Sequence, residues 1–152
     1  MKTFQSILIC SIACMAVGCS EQASVEKQSA GYPLGTPAEA GSGSTVRLNT
    51  SEDNEVDVKV ISISEYRCPA DVVCVWEGNA RVEFQVSGSK DTITLCLRTN
   101  ESDCQTSSTI FHNGKHFALE LLDVTPYPTS TNTKEEKTAK FQLREVGIEN
   151  GG

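Results

Sequence analysis

Few residues in this chain can do chemistry, and those that can are mainly sulfur and imidazole. The 152 residues include seven cysteines and two histidines. Four cysteines lie well beyond the amino-terminal segment, at Cys68, Cys74, Cys96 and Cys104, as a C-x5-C pair and a C-x7-C pair. Two chemistries suit such a set: two disulfides, or one four-thiolate zinc site. These spacings are looser than those of zinc knuckles, and free thiolates are disfavoured outside the cytosol. If the cysteines are oxidised, three connectivities exist. Local pairing, Cys68–Cys74 and Cys96–Cys104, closes the shortest loops and is the expectation. His112 and His116 have the H-x3-H spacing that would hold zinc or copper on a helix. Asn113-Gly114 lies between them, however, and this dipeptide favours a two-residue hairpin turn. A hairpin would pair Phe111 with His116 and His112 with Lys115, on opposite faces. Two ordinary edge-strand histidines are therefore expected, and no metal.

A catalytic set is harder to assemble. There is no G-x-S-x-G elbow, no phosphate-cradling glycine loop and no cysteine left over as a nucleophile. The carboxylates Glu52, Asp53 and Glu55, and Glu101 and Asp103, sit in polar turns, with nothing to face them across a cleft as a glycosidase requires. The turn Asn100-Glu101-Ser102-Asp103 lacks the ligand series of an EF-hand. No catalytic residue and no cofactor is expected.

The amino-terminal segment sets the compartment. Lys2 is followed by a short apolar run, Ile7 to Val17, too brief to span the ~30 Å core of a bilayer. The run ends in Ala16-Val17-Gly18-Cys19. This resembles the lipobox of bacterial lipoproteins, with Ala16 where leucine is usual. The resemblance implies removal of residues 1–18 as a signal peptide and lipidation of Cys19. It also implies an anchor of several acyl chains, each buried CH₂ contributing about 0.8 kcal/mol. Ser20 after the cysteine points to the outer membrane. Cys10 and Cys14 would leave with the signal peptide, and Cys68, Cys74, Cys96 and Cys104 would meet an oxidising environment. The whole sequence has a formal charge of -7. Loss of Lys2 leaves 12 basic against 20 acidic residues, or -8. Such a surface repels nucleic acid, so no nucleic-acid partner is expected.

Beyond Cys19 the chain divides in two. Residues 19–44 are rich in Ser, Ala, Gly, Glu and Gln and read as a lipidated, flexible linker, with Tyr32-Pro33-Leu34 as a possible first edge strand. From Thr45 to residue 149 apolar residues alternate with polar ones: Val46 and Leu48; Val56, Val58 and Val60; Val82, Phe84 and Val86; Ile93, Leu95 and Leu97; Phe117, Leu119 and Leu121; Ala139, Phe141 and Leu143. The period slips by one at Ile61 and again at Leu122, the mark of a β-bulge. No window has a helical period. Six to seven strands with short turns predict an all-β, antiparallel sandwich or barrel-like sandwich. Thr125 to Thr138, with Pro126 and Pro128, reads as an exposed loop.

The most distinctive stretch is Arg67-Cys68-Pro69-Ala70-Asp71-Val72-Val73-Cys74-Val75-Trp76-Glu77-Gly78-Asn79-Ala80-Arg81-Val82. It resembles an R-C-P-x4-C-x-W-x-G-x-A-x-V signature of small secreted bacterial proteins, many of them lipoproteins. The matching residues are Arg67, Cys68, Pro69, Val72, Cys74, Trp76, Gly78, Ala80 and Val82. Glu65-Tyr66 departs from the usual Asp-Ser, and Glu77 from a small residue. The resemblance implies a β-rich fold and export, and brings no established activity. Read physically, Pro69 restrains Cys68 to extended backbone, and Gly78-Asn79 permits a tight turn. Trp76 is expected as a core plug beside a disulfide, with an exposed contact aromatic as the alternative. Arg67 and Glu77 are expected to form a weak surface ion pair. Arg67, Pro69, Trp76, Glu77 and Asn79 are the candidate binding-loop residues.

These features predict a lipid-anchored envelope protein that binds or supports rather than catalyses. Its partner would be another envelope protein or a glycan. An enzyme inhibitor or small hydrolase of the envelope is the alternative, and a metal-handling protein the third. A protruding, rigid 68–80 loop would favour an inhibitor or adhesive module, and a deep cleft of convergent polar groups an enzyme.

Overall fold

The computed structural model describes residues 31–51, 54–97 and 104–147. Among them are nine strands and no helix: β1 (Tyr32–Pro33), β2 (Ala38–Gly41), β3 (Thr45–Ser51), β4 (Asn54–Glu65), β5 (Ala80–Val86), β6 (Thr92–Leu97), β7 (Ser107–His112), β8 (Lys115–Thr125) and β9 (Thr138–Val146). They form two sheets, ordered β1-β3-β4-β5-β6 and β2-β9-β8-β7. The chain is an all-β sandwich. Each sheet is essentially one antiparallel meander, β3 to β6 and β7 to β9.

The alternating residues explain the layering. In β5, Ala80, Val82, Phe84 and Val86 are buried, whereas Arg81 and Gln85 are exposed. Val56, Val58 and Val60 of β4, Phe117, Leu119 and Leu121 of β8, and Ala139, Phe141 and Leu143 of β9 turn inward in the same way. The rings of Phe84 and Phe141 meet edge to face across the layers, with centroids 5.0 Å apart.

Both phase slips are bulges. Val60 pairs with Phe84 and Ser62 with Glu83, which leaves Ile61 unmatched. Leu121 pairs with Phe141 and Asp123 with Lys140, which leaves Leu122 unmatched. Each extra residue reverses the facing of everything after it. In β4 the inner face passes from the even positions up to Val60 to the odd ones, and Ile63 then packs against the core.

The Asn113-Gly114 hairpin forms with the expected register, Phe111 opposite His116 and His112 opposite Lys115. Asn113 and Gly114 both have positive φ, 46° and 80°. The linker assignment needs correction at its carboxyl-terminal part. Tyr32 and Pro33 pair in parallel with Leu48 and Asn49, and Ala38 to Gly41 pair with Thr138 to Phe141. Ala38 and Ala40 are buried, so small size here serves packing, not flexibility. The segment 31–44 thus laces the two sheets together along one side, and the sandwich has nine strands where six or seven were expected. Residues 1–18, Cys19 and the linker up to residue 30 lie outside the described residues, as do Glu52, Asp53 and the 100–103 turn.

Replacing Phe141 by Ala removes half of the edge-to-face pair and leaves a cavity between the sheets. The expected loss is about 3–5 kcal/mol, against roughly 0.5 kcal/mol or less for a change at the exposed residue Leu122. Urea unfolding of both variants measures the difference.

Candidate functional site

The site grows from the end of β4. After the bulge at Ile61, Glu65 falls on the inward-facing phase, at the mouth of the sandwich. Its carboxylate side chain is only 13% exposed. A buried carboxylate requires a cation and hydrogen-bond donors, and Arg67 supplies both. The Arg67 Nε donates to Glu65 Oε1 at 2.8 Å, and an NH₂ of the same guanidinium donates to Oε2. That NH₂ also donates to the Val124 carbonyl at 2.7 Å, beyond the bulge of β8. Asp123 lies 3.9 Å from the other NH₂, and the Tyr127 ring lies 4.4 Å from the guanidinium carbon. The Arg67 backbone N–H donates to Glu65 as well. Arg67 therefore joins the end of β4 in one sheet to the end of β8 in the other. The expected surface pair with Glu77 is not what forms: Arg67 is 4% exposed, and its partner is Glu65.

The chain then leaves the sandwich as a closed loop. The ladder between β4 and β5 continues into its neck, where Tyr66 N–H donates to Asn79 C=O at 2.8 Å and Cys68 N–H to Glu77 C=O at 2.7 Å. Gly78 has φ +67°, and a Cβ there would lie 1.9 Å from the Tyr66 carbonyl oxygen. No other residue permits that approach. A disulfide joins Cys68 to Cys74, and another joins Cys96 to Cys104. The first closes the tip. The second holds the segment after β6 beside its edge, where Cys96 N–H donates to Gln105 C=O.

A third brace comes from the 126–137 loop. Ala70 N–H donates to Pro128 C=O at 2.9 Å, and Ser130 N–H donates to Asp71 at 2.8 Å. The Ser130 hydroxyl also donates to the Asp71 carboxylate. These donors hold Asp71 below the ordinary aspartate range, the hydroxyl contributing most. The loop read as merely exposed is thus a buttress, and Pro128 within it is buried.

On this frame the apolar residues point outward. Trp76 is 77% exposed, Val73 and Val75 are fully exposed, Tyr66 is largely so and Val72 about half so. The expectation of Trp76 as a core plug is overturned, since the core between the sheets is filled by Phe84, Phe117 and Phe141. Of the other candidate residues, Pro69 is half-buried at the loop's base and Glu77 is exposed beside Trp76. Asn79 is half-buried and serves the neck through its carbonyl. The signal that pointed to Trp76 did not identify its valine neighbours. Sequence reasoning also missed Glu65, Asp123, Val124, Tyr127 and Ser130 as partners of the loop.

The histidines do not join this end. His116 packs against the Phe111 ring at 5.1 Å, and His112 lies on the opposite face of the hairpin. Glu55 stands in a surface pair with Arg47.

Removing the Arg67 side chain leaves Glu65 buried and unpaired. Arg67→Ala should lose about 3–5 kcal/mol in urea unfolding, and Arg67→Lys should recover only part of it, because one ammonium cannot reach both Glu65 oxygens and Val124. Asp71 gives a pH test. A carboxylate depressed in the folded state stabilises above its unfolded pKa of about 3.9, and that contribution is lost as pH falls through the lower folded value. The bond between the two loops is therefore complete at neutral pH and weakens as pH falls through that lowered value. In Ser130→Ala the Asp71 midpoint, followed by NMR, should rise toward about 3.9. An unchanged midpoint contradicts the assignment.

Comparison with family models, with curated proteins and with solved structures finds no match.

Proposed function

We propose that this protein is a lipid-anchored, extracytoplasmic binding module that engages an envelope partner through the 66–79 loop and carries no catalytic set. The observation that supports the reading is the outward placement of Trp76, Val73 and Val75 on a loop fixed from three sides. Soluble domains bury most large apolar groups, and a contiguous exposed set marks an interaction surface. Tryptophan is also the residue most enriched among binding hot spots. A loop that is already ordered loses little entropy on docking, which strengthens binding without new contacts.

The anchor follows from the Ala16-Val17-Gly18-Cys19 motif. Lipid on Cys19 would hold the domain at the outer membrane, and the residues between Cys19 and Tyr32 set its reach. Inhibition of an envelope hydrolase is the second reading. It is favoured by the same protrusion, since a rigid disulfide-closed loop can enter a cleft that a flat sheet face cannot.

Two substitutions test the proposal. Trp76→Ala should weaken binding to the partner by about 2 kcal/mol or more, roughly thirtyfold. The stability of the domain should change by no more than about 0.5 kcal/mol. Unchanged binding with unchanged stability would remove the loop as the binding element. Cys19→Ser should abolish metabolic labelling of the protein with radioactive fatty acid, and retained labelling would refute the anchor.

A further inference from the structure

We infer that the partner is a protein whose docking surface is an apolar pocket bordered by lysine or arginine side chains. The inference rests on the preceding reading of the 66–79 loop as the binding element, and deepens it by naming the chemistry of what the loop enters.

The charges around the loop carry the argument. Asp71 and Glu77 are the charged groups exposed on the loop itself, and both are acidic. The hydrogen bonds from Ser130 keep Asp71 ionised. Arg67, the one cation of the loop, is buried and consumed by Glu65. Behind the loop, Asp123 has a half-exposed side chain near Arg67. The 126–137 loop, which braces the tip through Pro128 and Ser130, carries Glu135 and Glu136. These two line a cleft of about 500 Å³ together with Glu65, Ser42 and Lys137. Lys134, exposed, and Lys137, which donates to the Pro126 carbonyl, balance these two glutamates, so that loop adds no net charge. The loop is therefore an apolar knuckle whose own exposed charges, Asp71 and Glu77, with Asp123 behind it, form an acidic border.

That pattern separates the occupants. A bilayer would take Trp76 and the valines readily. It would also have to accept the Glu77 carboxylate, immediately beside Trp76, against headgroups that are often anionic. A second copy docking knuckle to knuckle would bring two acidic borders together. A protein pocket with an apolar floor and a basic rim satisfies both the knuckle and its border. Pre-ordering of the loop contributes only where the partner is also shaped, and this again favours a protein.

The test is a photo-crosslinking amino acid placed at Val73 of the full lipoprotein in its native envelope, with the mass of the adduct read afterwards. The expected adduct is a protein. Its crosslinked peptide should lie in an apolar pocket with lysine or arginine at the rim. The adduct yield should fall roughly tenfold in ~1 M salt, where the Debye length is ~3 Å. It should fall by a similar factor in Glu77→Lys, whose side chain takes no part in the Arg67 brace. A protein adduct on a neutral or acidic surface, insensitive to salt and to the charge reversal, overturns the inference and leaves the binding reading standing. A phospholipid adduct, or an adduct with a second copy, overturns the inference by naming another occupant. If Val73 yields no specific adduct while a crosslinker on the outer face of the β8–β9 sheet does, the 66–79 loop is not the binding element and both readings fall.

Discussion

The guanidinium of Arg67 is the interaction on which the working end of this molecule depends. It is nearly sealed from water, and it holds Glu65 at the end of one sheet and the Val124 carbonyl at the end of the other. A buried ion pair is weak evidence for net stability, because desolvation of both charges offsets much of their attraction. Its contribution here is positional. Once Glu65 faces inward, only a planar, multiply donating cation can satisfy it while reaching across to the second sheet. The chain that supplies this cation is the first residue pair of the 66–79 loop, so the loop's exit direction is fixed by the same group that closes the sandwich.

The cause lies further back, in the bulge at Ile61. Were Ile61 paired in regular alternation, Glu65 would point to solvent and Arg67 would have no buried partner. The bulge, by leaving Ile61 out of the register, turns Glu65 inward. A similar insertion at Leu122 lets Asp123 face outward, where it lies near Arg67, and Val124 face the core. Two irregularities in different sheets thus meet at one site. Bulges gather at the rims of sheets and beside functional sites, and both bulges here lie toward the end that carries the exposed apolar loop.

Much of the fold is legible in the sequence, because a half-buried strand leaves a period of two. The seven strands from β3 to β9, both phase slips, the Asn113-Gly114 register and the two local disulfides all follow from residue types and spacing. The early strands were legible only in part: Ala38 and Ala40 are small enough to look like linker, and nothing local shows that they pack against β9. The candidate site was located but misread. A tryptophan beside two cysteines suggests a core plug, and only the three-dimensional filling of the core by phenylalanines excludes it. Sequence spacing suggests an Arg67–Glu77 pair, because the two face each other across the loop. The better clue was already present in the phase slip, which places Glu65 on the inner face and so creates a demand for a buried cation.

In the proposed function, the sandwich is a rigid mount and the tether a means of delivery, while recognition belongs to a small apolar tip that is kept out of the core by its own bracing. The central claim is that Trp76 is both exposed and immobile. It is the sole tryptophan of the chain, so time-resolved fluorescence anisotropy reports on it alone. The account predicts emission characteristic of tryptophan in water, with anisotropy that decays mainly at the tumbling rate of the whole particle. Emission shifted to the blue would place the ring in an apolar interior, and a dominant fast local decay would show a slack loop. Either result would contradict the account.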